Sequence, residues 1–531
     1  MKIKKLVALI LACALILSFS AIGSVSASEA GSSDTLTWVL IGDITGLDPT
    51  QSYDDITNMV TNQLYQGILT YDTSVDSNLT PDIAESWEIV DELTYVYNIK
   101  PDILFSDGAP MTMEDILWNL DRQMDPANAS LVGWMFDCVE SIEQTGDWQF
   151  TVKLSYPDAT FQYVLGTSAG YIMEKAPWEA DGTVIASGPY AMESRVTGSN
   201  IILKKNEYYA NADNVYFDRI VFNVIGEDTT RVEALSTGQA DFATNPPFDM
   251  LEQLKADPNV AVTMFDTFGV DFVAMNTQRA PFDDVNVRRA VASAIDVNTI
   301  YDSLLVDICG PSSGLPFNAS LYASIGDPAE WAAYADAYKE YTYDVEQAKA
   351  YLAESAYPDG FTCSLVVPES SVLNSEALFI QATLAEIGIN VEINKIPQND
   401  VYAIQMGTTW DAENDCRDFD MGFFTWYADF PDAAGTLIPN YLSSNAAPGG
   451  CNVSGYSNER VDELLMDQTT KTTAADRMPL CMEALDIIGE EVPVVIIDYP
   501  RQGALQNISL SEVPLNASYM WNLSAAGMMR N

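Results

Sequence analysis

Apolar residues along this chain recur at two spacings, and the elements they predict alternate over its whole length. Residues 6–25 form a nearly uncharged apolar run behind Lys2, Lys4 and Lys5, ending in Val25-Ser26-Ala27. A positive start, an apolar middle and a small-residue end predict a secretory signal cut after Ala27. Left uncleaved, the same run is long enough to span a bilayer and act as an N-terminal anchor. Residues 28–33, rich in Gly and Ser, read as a flexible leader. Residues 36–41 then read as a strand, and Asp54 caps a helix with Ile56, Val60 and Leu64 on one face, closed by Gly67. Residues 148–154 alternate as a half-buried strand does. Residues 216–225 predict another strand, followed by a helix through Val232 and Leu235. The clearest unit is a strand at 361–367, an amphipathic helix at 375–387 ending at Gly388, and an alternating strand at 389–396. That is a βαβ unit, which requires parallel strands. Residues 419–427 read as a buried strand. The class is therefore α/β, in which ligands bind beyond the carboxyl ends of strands and at domain interfaces.

Composition narrows what such a chain can do. With 531 residues it is too long for one hydrophobic core, so two or three domains are expected. Its 48% apolar content is that of a folded protein, although 76 acidic against 25 basic residues leave a formal charge of −51. A field of that sign repels nucleic acid and anionic lipid, and nucleic-acid binding is excluded. The chain has no histidine. That removes Ser-His-Asp and Cys-His catalysis and every His-containing metal site. Cys13 follows Ile10-Leu11-Ala12 as at a lipoprotein processing site, but apolar residues follow where a polar tether belongs, so a lipid anchor is not expected there. Six cysteines lie beyond the signal: Cys138, Cys309, Cys363, Cys416, Cys451 and Cys481. An exported chain permits disulfides, but six cysteines allow fifteen connectivities. Cys416 and Cys451 flank one aromatic loop and are the first pair to examine. No CxxC pair is present, so neither a zinc nor a redox centre is expected, and no cofactor.

Eight segments then appear in series. Leu47-Asp48-Pro49 and Gln66-Gly67-Ile68-Leu69 come first. Leu79-Thr80-Pro81-Asp82-Ile83-Ala84-Glu85-Ser86-Trp87 and Phe105-Ser106-Asp107-Gly108-Ala109-Pro110-Met111-Thr112-Met113-Glu114-Asp115 follow. Gly188-Pro189-Tyr190, then Ala234-Leu235-Ser236-Thr237-Gly238-Gln239-Ala240-Asp241, lead to Asn276-Thr277-Gln278 with the run from Pro281 to Ala290. The last is Tyr456-Ser457-Asn458-Glu459 before Val461-Asp462-Glu463-Leu464. Each has a local reading. Thr112 with Asp115 forms a capping box, Gly188-Pro189 a turn, and Asp283-Asp284 the acidic start of a helix. Together they resemble the family 5 solute-binding proteins of ABC importers, the group of oligopeptide and dipeptide receptors. The resemblance implies a two-lobed, three-domain periplasmic-binding-protein-like fold that closes about a hinge. It gives lobe I residues 34–70, 188–285 and 495–531, an inserted domain 71–187, and lobe II 286–494. It also implies a monomer that is periplasmic or held at the cell surface, takes up a peptide or other small solute, and passes it to ABC permease subunits.

The segment Trp426-Tyr427-Ala428-Asp429-Phe430-Pro431-Asp432 carries the candidate site. Asp429 falls just past the predicted strand, where α/β clefts form. In peptide-binding relatives the acid of this motif pairs with the ligand's α-ammonium, a role the resemblance gives Asp429; the alternative is an Asp capping a turn before Phe430-Pro431. An ammonium taken out of water needs such a carboxylate. Trp426 and Tyr427 could wall the pocket, but as strand neighbours they point to opposite faces, so one of them is core. Tyr53 lies in a loop that reaches the cleft in relatives. Oligopeptide receptors often carry an arginine just upstream of the motif, for the ligand's carboxylate. Phe423 and Phe424 stand there instead, leaving Arg417, Lys395 or water for that role, or a ligand that is not a short peptide. The same fold could bind an oligosaccharide, which the 11% aromatic content also suits. A more distant alternative is an exported glycoside hydrolase working with two carboxylates.

Overall fold

The computed structural model describes residues 34–75, 78–338, 341–413, 415–511, 513 and 515–531. The signal, the leader and Cys13 lie outside the described residues. Among those described, no helix is long and apolar enough to cross a membrane.

Thr35–Leu40 is buried along its entire length. An unbroken apolar strand of that kind suits a parallel position with both faces covered. It pairs in parallel with Arg219–Val224 on one side and with Phe242–Thr244 on the other. These belong to a 12-stranded sheet. Its spine is Val494–Asn507, a 14-residue strand that changes partners halfway along. The part from Val494 to Asp498 pairs with Gly269–Met275, and Asp498 to Pro500 with Cys309–Pro311. From Arg501 onward the partners are Val260–Asp266 and Phe242–Thr244. Beyond Gly269–Met275 come Met421–Tyr427, Phe361–Pro368 and, at the edge, Ile389–Ile396. Residues 269–275 and 495–500, which the sequence-based division gives to lobe I, pair with the strands of the sheet that hold the βαβ unit.

That unit is as the pattern predicts, with Phe361–Pro368 and Ile389–Ile396 parallel and in register from Phe361 opposite Ile389 to Pro368 opposite Ile396. The connecting helix Ser371–Ala385 starts earlier than periodicity alone places it. Ser370 is the residue that accepts from the Leu373 N–H, at 3.4 Å, and so fixes the start. A separate antiparallel sheet of four strands comprises Ala84–Asp91, Thr94–Ile99, Gln149–Leu154 and Val139–Gly146. It packs against Met113–Met124, whose start carries the expected Thr112–Asp115 capping box. The core between them is drawn wholly from residues 68–172 and includes the stacked Tyr97–Phe150 pair.

Helix Asp55–Leu64 has Asp54 as its cap but ends at Leu64, short of Gly67. Gly67 serves packing instead: a Cβ there would lie 2.7 Å from the Leu69 carbonyl oxygen. Gly188 is likewise pressed on the helix end, where a Cβ would meet the Leu64 carbonyl at 2.5 Å. The six cysteines from Cys138 to Cys481 are unpaired thiols, so Cys416 and Cys451 are not bridged. Cys416 is buried, while the Cys451 sulfur lies 3.7 Å from the Met406 sulfur.

Candidate functional site

Strand Met421–Tyr427 delivers the motif that follows it. Four of its seven residues pack into one core or the other: Met421 and Phe423 with Val273 and Leu365, and Phe424 and Trp426 with Phe272 and Phe419. The alternation puts Trp426 in that second core, 7% exposed, with its indole N–H donating to the Gly435 carbonyl at 2.8 Å. Tyr427 points the other way and is 51% exposed. The chain then leaves the sheet, tied by the Ala428 N–H to the Phe268 carbonyl at 3.3 Å. Asp429 follows, at the edge of a cleft. Asp432, at the end of the motif, is fully buried in a two-pronged pair with Arg477 at 2.6 and 2.7 Å, which anchors the loop from behind.

Tyr53 approaches from the opposite wall, where the loop carrying it is pinned at both ends. Asp48 caps the short turn Pro49–Gln51 and takes two hydrogen bonds from Arg122, at 2.6 and 3.0 Å. The Ser168 hydroxyl donates to the Ser52 carbonyl at 2.9 Å, and Asp54 caps the next helix. The Tyr53 hydroxyl donates to Asp429 Oδ1 across the cleft. Burial pushes the Asp429 carboxyl up to about 6, with the Tyr53 hydrogen bond acting in the opposite direction. Burial first and the Asp429 charge second raise the Tyr53 hydroxyl, which therefore stays protonated and able to donate.

Around this pair lies a cavity of about 530 Å³. Its aromatic wall includes Tyr53, Tyr402, Tyr427, Tyr519 and Trp521, and Thr267, Arg501 and Gln502 border it where the central strand changes partners. A second chamber of about 330 Å³ adjoins it, sharing Met135 and Asp429. It is more apolar, with Trp134 and Tyr156 on one side and Ile438, Pro439 and Leu442 on the other. Two chambers joined at one carboxylate can hold an ammonium at the junction with an apolar group beside it.

The structure thus brings Asp429, Tyr427 and Tyr53 together and leaves two other candidates aside. Trp426 is core. Arg417 is 1% exposed, and its guanidinium donates to the Ile404, Gly450 and Asn452 carbonyls at 3.2, 2.5 and 2.7 Å. It braces a loop and lines neither chamber. Lys395 is exposed on the edge strand, outside both linings. The sequence reading missed Tyr402, Tyr519, Arg501 and the whole second chamber. Only Arg501 left a trace, as a charge set within an otherwise largely uncharged segment.

The family model for bacterial extracellular solute-binding proteins, family 5 Middle, matches residues 78–448. The glutathione-binding protein GsiB of Escherichia coli strain K12 is 27% identical over 456 residues, covering 85% of this chain and 86% of GsiB. HbpA2 from Haemophilus parasuis superposes with a TM-score of 0.81 at 21% identity, over 94% of this chain and 100% of HbpA2. The periplasmic binding protein DppA from Helicobacter pylori, solved with the peptide STSA, gives a TM-score of 0.73 at 24% identity, over 93% of this chain and 98% of DppA. With most of its length matched, the chain belongs to family 5 of the bacterial extracellular solute-binding proteins.

Proposed function

We propose that this protein is the extracytoplasmic receptor of an ABC importer, and that it captures short peptides in the cleft and passes them unchanged to a membrane permease. The observation that carries the reading is Asp429. It is a carboxylate withdrawn from water whose one partner across the cleft is the neutral Tyr53 hydroxyl, and it stands where two chambers meet. A peptide's α-ammonium supplies the charge such a group lacks. The relatives solved with STSA and with Met-Leu support a peptide in this fold. The central strand supports a hinge at Thr267 and Arg501, with 268–500 moving against 34–70, 188–267 and 501–531, and 71–187 inserted. A ligand touching both sides stabilises the closed form by its differential affinity for it.

The aromatic wall also suits a sugar, so the test sets the two ligand classes side by side. Titration calorimetry with mixed di- and tripeptides should give heat where oligosaccharides give none. Asp429→Asn should weaken the peptides by on the order of 10- to 100-fold, the worth of a charge-assisted hydrogen bond. Undiminished peptide binding by that variant would remove Asp429 from the ammonium role, and turnover of any ligand would remove the receptor reading.

A further inference from the structure

The charges lining the two chambers are strongly unequal. Asp54, Asp55, Asp137, Asp158 and Asp429 contribute carboxyls, and Arg501 is the single basic side chain among the residues lining them. Its position is built rather than incidental. Arg501 stands directly across the strand ladder from Asp266, and its Nε–H donates to Asp266 Oδ1 at 2.7 Å. Its backbone N–H donates to the Ile308 carbonyl at 3.1 Å, and the preceding residue's carbonyl takes the Thr267 hydroxyl at 2.6 Å. Both the backbone and the inner edge of the guanidinium are therefore fixed. Among the described residues the recorded hydrogen bonds of this side chain stop at Nε, and the side chain stays 31% exposed at the cavity edge.

A planar guanidinium held at one edge still presents its terminal amino groups, and that is the geometry a carboxylate accepts best. The other bases considered from sequence do not serve: Arg417 is used up on three carbonyls, and Lys395 lies outside the linings. We propose that Arg501 anchors the free carboxylate of the ligand, opposite an ammonium at Asp429, so that the receptor selects zwitterionic peptides over the same peptides with a blocked carboxyl end. This rests on the peptide reading above and extends it. It also puts the ligand's two ends on different parts of the molecule. Asp429 follows a strand of the half that would move, while Arg501 is the first residue of the strand segment on the other side of the crossover. A ligand bridging them contacts the crossover itself.

The experiment compares Ala-Phe-Ala and other tripeptide free acids with their C-terminal amides, by calorimetry on the full chain. Wild type should prefer each acid over its amide by on the order of 10- to 100-fold. In Arg501→Gln the acid should weaken by that factor while the amide stays within about threefold, so the gap closes. Arg501→Lys should keep part of the preference. Asp266→Asn, which frees the guanidinium from its competing carboxylate, should bind the acids at least as tightly as wild type, and it supplies an answer if Arg501→Gln proves unstable. Equal binding of acid and amide by wild type, or a gap that survives Arg501→Gln, overturns the anchor while leaving a peptide receptor. No binding of acid or amide by wild type overturns the peptide reading, and the anchor with it.

Discussion

Asp429 must be ionised to hold an ammonium, and burial works against ionisation. With the carboxyl pushed up to about 6, lowering the pH through that value neutralises the charge the ammonium would pair with, and affinity falls. Affinity should be highest near pH 7 and fall again above about pH 8, where the ligand's α-ammonium loses its proton. The Tyr53 hydrogen bond lowers the same carboxyl, so Tyr53→Phe should move the fall to higher pH as well as weakening the ligand. Calorimetry between about pH 5 and pH 8 checks both; a pH-independent affinity would point to a different anionic partner. Asp429 was legible in the sequence because a local signal, the end of an apolar strand, placed it. Arg417 lies outside both chambers because nearness along the chain says nothing about which carbonyls will capture a guanidinium. Those of Ile404, Gly450 and Asn452 come from the helix Gln398–Gln405 and from a loop further along the chain. Arg501 showed only as an isolated charge, because its place in the cavity depends on a strand that changes partners far from any local pattern.

At the level of elements, four strands and a helix enclose carboxyls with no basic side chain among the groups acting on them. Asp271 on Gly269–Met275 pairs across the ladder with Asp498 on Val494–Asn507, and Glu376 joins from Ser371–Ala385. The Cys309 thiol and the Tyr427 hydroxyl face the same spot, and the Thr425 hydroxyl donates to Asp271. Among the described residues no N–H or hydroxyl is within hydrogen-bond reach of the oxygens of Asp498 or Glu376. Burial first, and mutual repulsion second for Asp498 and Glu376, raise all three: Asp271 to about 6, Glu376 to about 8, and Asp498 well above its usual range. Groups whose folded values lie above their unfolded ones stabilise fully below about pH 4 and lose that contribution as pH rises through 6 and 8. The melting temperature should therefore fall from about pH 5 to pH 9, and Glu376→Gln should flatten the upper part of that fall. A melting temperature that holds level or climbs over this range counts against a protonated cluster. None of this was legible, since periodicity marks the helix face of Glu376 as apolar without revealing what it meets. Caps and the βαβ unit were legible because their causes lie within a few residues. Helix ends were less so, because Gly67 and Gly188 answer to packing partners.

For the whole molecule, the formal charge of −51 makes self-repulsion a standing cost to the compact state. Salt screens it, so thermal stability should rise between about 0.01 and 0.5 M sodium chloride, and a melting temperature unmoved by salt would show the charges already neutralised locally. The family and the α/β class were readable because the eight motifs build scaffold. Asp82 accepts from Gln66 and Gly67 at 2.6 and 3.0 Å, and Asp241 ties Thr37 to Arg530 at 2.8 and 2.7 Å. The division into lobes was less readable, because resemblance cuts at segment ends whereas the sheet changes partners inside a strand. That strand also governs timing. Val494–Asn507 is the shared neighbour of Gly269–Met275, Cys309–Pro311, Val260–Asp266 and Phe242–Thr244, so the two sets of strands are joined into one sheet only when it docks. Pairings this distant in sequence form slowly. Until that strand is in place the two sets of strands share no neighbour among the described residues, which makes their joining a late step of folding.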